Sequence, residues 1–237
     1  MEIVGLYRYP VKSAQGEALD SAAIGEHGIT GDRSHALIDV ETGVALTGRL
    51  DPSLLFATGM LSEDGRASLR LPDGTVTADD VVISAWIGRP VHLAGAVAAP
   101  STYEIRVDAE DESSEIVSWK GPSGVYHDSA RTRVSIVATG DLRDWDVRRF
   151  RPNVVVDGGT VDHLVGRSVR LGNAVLDIVK QIDRCVMITR PQPGGIEREL
   201  DVLRTVRDER AMLLGVGGLV STSGTVSVGD RLEVIGD

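Results

Sequence analysis

The 237-residue sequence has a single cysteine, Cys185, and few aromatics: three Trp, four Tyr and two Phe. One thiol cannot close an internal disulfide, build a four-thiolate zinc site or hold an iron–sulfur cluster through several cysteines. Long apolar runs are missing too. Stretches such as Asn153-Val154-Val155-Val156 and Leu213-Leu214-Gly215-Val216 fall far short of the roughly 20 residues a spanning helix needs. Met1-Glu2-Ile3-Val4-Gly5 runs straight into a strand-like segment, with no basic n-region or apolar h-region. The expectation is a cytoplasmic protein with no membrane partner. There is no Walker A loop, no Gly-x-Ser-x-Gly elbow and no His-Glu-x-x-His, and the five histidines lack metal-ligand spacing.

Positive charge is scarce overall but unevenly so. The net charge is −10, yet residues 1–118 hold nineteen acids and eight bases while residues 119–237 hold sixteen acids and seventeen bases. The acidic total argues against nucleic acid as a partner. The more basic second half leaves room for a compact anion pocket.

Short β-branched runs recur between Gly, Asp and Pro punctuation, which predicts many short strands joined by tight turns. Glu2–Tyr9, Ser34–Asp39, Val81–Ile83, Val91–Leu93, Val134–Ala138, Val154–Val156, Val175–Val179, Val186–Thr189 and Leu232–Ile235 read as strands. Pro72-Asp73-Gly74-Thr75 and Val228-Gly229-Asp230 read as hairpin connections. Apolar residues three to four apart predict helices over Asp141–Phe150, with Asp141 as N-cap, and over Glu199–Met212. A helical turn is expected around Val161–Leu164. Gly215-Val216-Gly217-Gly218 leads into Ser223-Gly224-Thr225 rather than into a helix, so it reads as β-structure and not as a dinucleotide loop. The small-residue stretch Ala94–Ser101, followed by the acidic patch Asp108–Glu115, marks a boundary or a loop. The fold class is mainly β with a few helices (α+β), packed outside a barrel or bent sheet.

Cys185 follows an arginine in Ile182-Asp183-Arg184-Cys185. A neighbouring guanidinium favours a thiolate, the form needed for a nucleophile, a persulfide carrier or a soft metal ligand. A lone cysteine is otherwise a small buried hydrophobe. Three segments stand beside it. Tyr9-Pro10-Val11-Lys12-Ser13 closes the first strand and offers an ammonium and a hydroxyl. Gly28-Ile29-Thr30-Gly31-Asp32-Arg33 presents an arginine from a glycine turn. Arg149-Phe150-Arg151-Pro152-Asn153 sets two arginines and an asparagine before a strand. Arginine binds phosphate bidentately and asparagine can read a heterocycle edge, so the set suits a phosphorylated ring compound. Singly, each of these side chains could equally serve a surface ion pair or a turn.

In this order and spacing the four segments resemble the MOSC-domain proteins, named for the C-terminal domain of molybdenum-cofactor sulfurase. The resemblance extends over nearly the whole chain, including Tyr126-His127-Asp128 and Gly224-Thr225-Val226-x-Val228-Gly229-Asp230. The nearest type has an N-terminal MOSC β-barrel subdomain, as in the mitochondrial amidoxime-reducing component and its bacterial relatives. The resemblance implies a MOSC-type β-barrel over residues 96–237 and a smaller β-rich N-terminal subdomain over 1–95. It implies the molybdenum cofactor (molybdopterin), with Cys185 as catalytic residue and molybdenum ligand. Lys12, Ser13, Arg33, Arg151, Asn153 and Arg184 would bind the cofactor. The implied activity is an oxidoreductase acting on N-hydroxylated small molecules, with electrons from separate donor proteins, since the chain ends at Asp237 without the cysteines of a ferredoxin-like domain.

Two other readings share these residues: a sulfur carrier using a Cys185 persulfide, and a non-redox molybdopterin-binding module. The family is also associated with pyridoxal phosphate. No desulfurase segment of that kind is evident in this chain, so sulfur would come from a partner. One departure bears on the site. Relatives carry an Ala-Ser-Leu turn where this chain has Thr139-Gly140-Asp141-Leu142, and an acid there would repel an anionic cofactor unless it faces away.

Overall fold

The computed structural model describes residues 1–108 and 113–236. In the first half, β1 (Ile3–Arg8), β2 (Glu17–Leu19), β3 (Ser21–Gly25), β4 (Gly28–Ile29), β5 (His35–Asp39), β6 (Thr58–Leu61), β7 (Ala67–Arg70), β8 (Val76–Thr77) and β9 (Val91–Gly95) precede a hairpin of β10 (Thr102–Arg106) and β11 (Ile116–Lys120). The second half contributes β12 (Val134–Ala138), β13 (Val154–Val156), β14 (Ser168–Leu171), β15 (Ala174–Asp183), β16 (Leu213–Thr222), β17 (Gly224–Ser227) and β18 (Leu232–Ile235). Three α-helices are described: α1 (Asp80–Ile87), α2 (Thr139–Leu142) and α3 (Leu200–Arg210).

Eight strands form one curled sheet in the order β18-β14-β15-β16-β12-β13-β1-β2. Its pairs are antiparallel except β12–β13, which is parallel. The two halves share this sheet, because β1 pairs with β13, and they meet again in a separate three-stranded sheet, where β17 pairs with β3. One apolar cluster runs from Ile3, Leu6, Ile24 and Ile29 to Val134, Ile136, Val154, Val216 and Leu232, all buried. Each such side chain contributes about 1.5–3 kcal/mol of burial. A second cluster in the first half gathers Val11, Leu37, Leu46, Leu54, Ile83 and Val91. A third packs α3, through Val202 and Val206, on Val137, Phe150, Val155 and Leu214. Among the described residues, no helix is long and apolar enough to cross a membrane.

The mainly β class with few helices is the observed one, and several strands match their expected bounds, among them Val134–Ala138, Val154–Val156 and Leu232–Ile235. The Val161–Leu164 turn is a 3-10 turn over Asp162–Leu164. Other expectations need correction. Val81–Ile83 lies in α1, where Asp79 caps the start by accepting from the Val81 N–H and Gly88 ends the helix at φ 83°. Local capping outweighs the β-branched run there. Val186–Thr189 is a buried 3-10 turn, closed by Thr189 Oγ1 donating to the Val186 carbonyl at 2.8 Å.

The helix expected over Asp141–Phe150 is broken. Arg143 adopts φ 54°, and the Asp146 side chain then caps a second turn over Val147–Arg149. Asp141 is not the N-cap but the third residue of α2, accepting from the Ala138 N–H. Val228-Gly229-Asp230 joins β17 and β18, which lie in different sheets, so it is a turn and not a hairpin. Residues 109–112 of the acidic patch lie outside the described residues.

Candidate functional site

Lys12, Ser13, Arg33, Arg151, Asn153, Arg184 and Cys185 all line one pocket of about 380 Å³. Lys12 and Ser13 follow the end of β1, Arg33 follows the turn at Gly31, and Arg151 and Asn153 precede β13. Cys185 follows the end of β15. Three of these residues hold left-handed backbone: Ser13 at φ 65°, Arg33 at 48° and Arg151 at 53°. Such strain in non-glycine residues is concentrated where geometry serves a site.

Arg33 and Arg151 stack on the buried Tyr9 ring, with guanidinium carbons 4.7 and 4.4 Å from its centroid. Arg33 donates to the buried Asp32 carboxylate and to the Arg151 carbonyl, the latter at 3.2 Å. Arg151 Nη1 is buried with no hydrogen-bond partner among the described residues. Burial and repulsion from Arg33 lower the Arg151 pKa to about 10. A buried, unpaired guanidinium nitrogen beside a second arginine is a prepared place for an anion.

Lys12 is also buried, and its Nζ donates to the Tyr126 carbonyl at 3.0 Å and to Asp128 at 2.5 Å. Burial lowers its pKa, while Asp128 opposes that shift. Asp128 has a half-exposed side chain. Desolvation pushes its carboxyl upward, but Lys12 and Arg49 outweigh that and hold it below the ordinary range.

Two of the expected binding residues are largely committed to the protein itself. Asn153 Oδ1 accepts from the backbone N–H of Ser135 at 3.1 Å and from its hydroxyl at 2.9 Å, and Nδ2 donates to the Tyr7 carbonyl. Its amide therefore ties β12, β13 and β1 together at the pocket wall. Arg184 donates from all three guanidinium nitrogens to the Leu214 and Phe150 carbonyls, at 2.6–2.9 Å. The guanidinium that reaches the Cys185 sulfur belongs to Arg49, whose Nε donates to Sγ at 3.4 Å.

Arg49, Arg133 and Lys180, which lie outside the sequence motifs, also line the pocket, as do His127 and Asp128, which the resemblance includes without a role. Thr47-Gly48-Arg49 carries the same signal as Gly31-Asp32-Arg33, an arginine presented by a glycine turn, and could have been found by it. His127 is buried, and its Nε2 lacks a partner among the described residues. Burial lowers its pKa to about 4, which keeps the imidazole neutral at pH 7.

Asp141 does not line the pocket. Its carboxylate is fully buried and pairs with Arg210 at 2.7 Å, and Arg210 also binds Asp162 at 2.7 Å. The charge that sequence alone sets against an anionic ligand is thus neutralised behind the wall.

Eight cationic side chains and two carboxylates line the cavity, a balance that favours an anionic ligand. Among the described residues no cluster of three His, Cys, Asp or Glu side chains could hold a metal ion.

Two family models match the chain: the MOSC N-terminal beta barrel domain over residues 1–119 and the MOSC domain over residues 124–233. No curated protein matches. Among solved structures the chain is similar to the YUAD protein from Bacillus subtilis, at 14% identity over 98% of this chain and 94% of that one, with a TM-score of 0.45. It is also similar to YiiM from Geobacillus stearothermophilus, at 15% identity over 60% of this chain and 72% of that one, with a TM-score of 0.37.

Proposed function

The chain belongs to the MOSC family, and from that premise we propose that it is a molybdenum-cofactor-binding oxidoreductase that reduces N-hydroxylated small molecules. The observation that carries this reading is the meeting of the half-buried Cys185 and an excess of cations in one pocket, with Arg151 Nη1 unpaired among the described residues. The residues present fit such a group. Cys185 offers one soft sulfur ligand to a metal whose remaining ligands belong to the cofactor. Lys12, Ser13, Arg33 and Arg151 would hold the phosphate and pterin, with Asn153 shaping the wall. Arg184 would brace the Cys185 segment through Leu214 and Phe150.

When bound, the cofactor supplies the two-electron chemistry that removes oxygen from an N–O group. Two electrons and two protons convert N–OH to N–H and water, and the electrons would come from a separate donor protein. The reading places the protein in the reducing cytoplasm, where an unpaired thiol persists.

Elemental analysis and pterin fluorescence on protein from a molybdate-replete host test the proposal. Near-stoichiometric molybdenum and pterin are expected, together with reduction of benzamidoxime or N-hydroxycytosine by a competent donor. Cys185→Ala should abolish turnover and leave the unfolding midpoint unchanged, and full turnover in that variant would remove the ligand assignment. Metal-free protein carrying a cyanide-labile sulfur would instead support a persulfide carrier. Bound pterin without turnover would support a binding module.

A further inference from the structure

Arg49 lies outside the four motifs, yet its guanidinium is the one hydrogen-bonded to Cys185, 136 positions away. Its turn is fixed from below: the Gly48 N–H donates to Ser13 Oγ at 2.9 Å, and the Leu50 and Asp51 N–H groups both donate to the Thr47 carbonyl. The turn also packs directly on the Cys185 segment. A Cβ at position 48 would come within 2.7 Å of Met187 Sδ, so glycine permits this approach. Above, Arg49 Nη2 reaches Asp128 at 3.4 Å, and the guanidinium lies 5.2 Å from the Trp119 ring centroid.

We propose that Arg49 is a positioning residue for the Cys185 sulfur, supplied by the first half of the chain to a thiol of the second half. The N–H···S contact fixes the direction of the side chain and sets a permanent positive charge beside it, because arginine stays protonated throughout the working range. The contact stands on geometry alone. Its consequence for a bound metal rests on the proposed function, since hydrogen bonds to a ligating sulfur tune the metal it binds.

The test uses the cofactor-free 237-residue chain, whose sequence has Cys185 as its single cysteine, so alkylation reports one site. Rates with anionic iodoacetate and neutral iodoacetamide are compared at one pH. The thiolate fraction cancels in their ratio, which reads the charge beside the sulfur. Arg49→Gln should lower the iodoacetate-to-iodoacetamide ratio by about fourfold, the effect of one unit charge roughly 5 Å away in water. Arg49→Lys should keep most of the ratio. On molybdenum-loaded protein, Arg49→Gln should also shift the Mo(V) resonance, and the lysine variant should restore it in part.

An unchanged ratio in Arg49→Gln with a native circular-dichroism spectrum would overturn the proposal, as would a lysine variant no better than glutamine. Native protein that never takes up molybdenum would remove the proposed function while leaving the alkylation result readable, so the two failures are distinct.

Discussion

Replacing Arg210 with methionine should expose how the molecule tolerates an acid behind its basic pocket. Arg210 binds two carboxylates, Asp141 and Asp162, each at 2.7 Å, and its Nε donates to the Leu213 carbonyl at 3.1 Å. The Asp141 side chain is fully buried, and its other bond is the one from the Ala138 N–H at 3.2 Å. Removing one partner of a buried ion pair costs about 3–5 kcal/mol, because the other charge stays behind uncompensated. Arg210 is itself 22% exposed, so water can follow it in, and the expected loss falls to about 2–3 kcal/mol. At ~2–4 °C per kcal/mol for a chain of this size, the unfolding midpoint should drop by ~5–10 °C. Adding Asp141→Asn removes the stranded charge and should recover at least half of the loss. Urea and thermal unfolding of the single and double variants measure both. A single variant within about 0.5 kcal/mol of the native protein, or a double variant no better than the single, would refute the burial argument.

Two further outcomes follow from buried groups in the pocket wall. His127 has a folded pKa of about 4 against 6.5 unfolded, so below pH 6.5 the unfolded chain binds the extra proton. Stability should be intact above pH 6.5 and fall by about 3 kcal/mol as the pH drops through that window. His127→Gln should flatten the decline in urea titrations, and a slope equal to that of the native protein would contradict the assignment. Arg151→Met removes a buried guanidinium whose Nη1 has no partner among the described residues and which stacks on Tyr9 together with Arg33. It should raise stability by about 1–2 kcal/mol while lowering pterin retention, and loss of both would make Arg151 a structural residue.

Much of the site was legible because its signals are local. Pro10 ends a strand and leaves Lys12 and Ser13 at its edge, Gly31 forces a turn that presents Arg33, and Arg151 stands immediately before a strand. The structure gathers these segments around one cavity. Helical segments were harder to read. Val81–Ile83 suggested a strand, but the flanking Asp79 and Gly88 decide for a helix. Asp141–Phe150 suggested one helix, which Arg143 and the Asp146 cap divide. In both places caps compete with periodicity over fewer than a dozen residues, where nucleation is costly and packing arbitrates.

The sequence by itself determined the strand-rich class, the four motifs and the single thiol on which the proposed chemistry turns. The tertiary structure decided which charge meets that thiol. Arg184 is its chain neighbour, but neighbours in extended backbone point to opposite faces, and the Arg184 side chain is buried against Leu214 and Phe150. Arg49 reaches Sγ because Gly48 lets its turn pack on Met187. Asp141, an apparent threat to an anionic ligand, is neutralised by Arg210 from the end of α3. Side-chain direction and long-range pairing are set by how the strands curl and pack, and adjacency along the chain does not encode them.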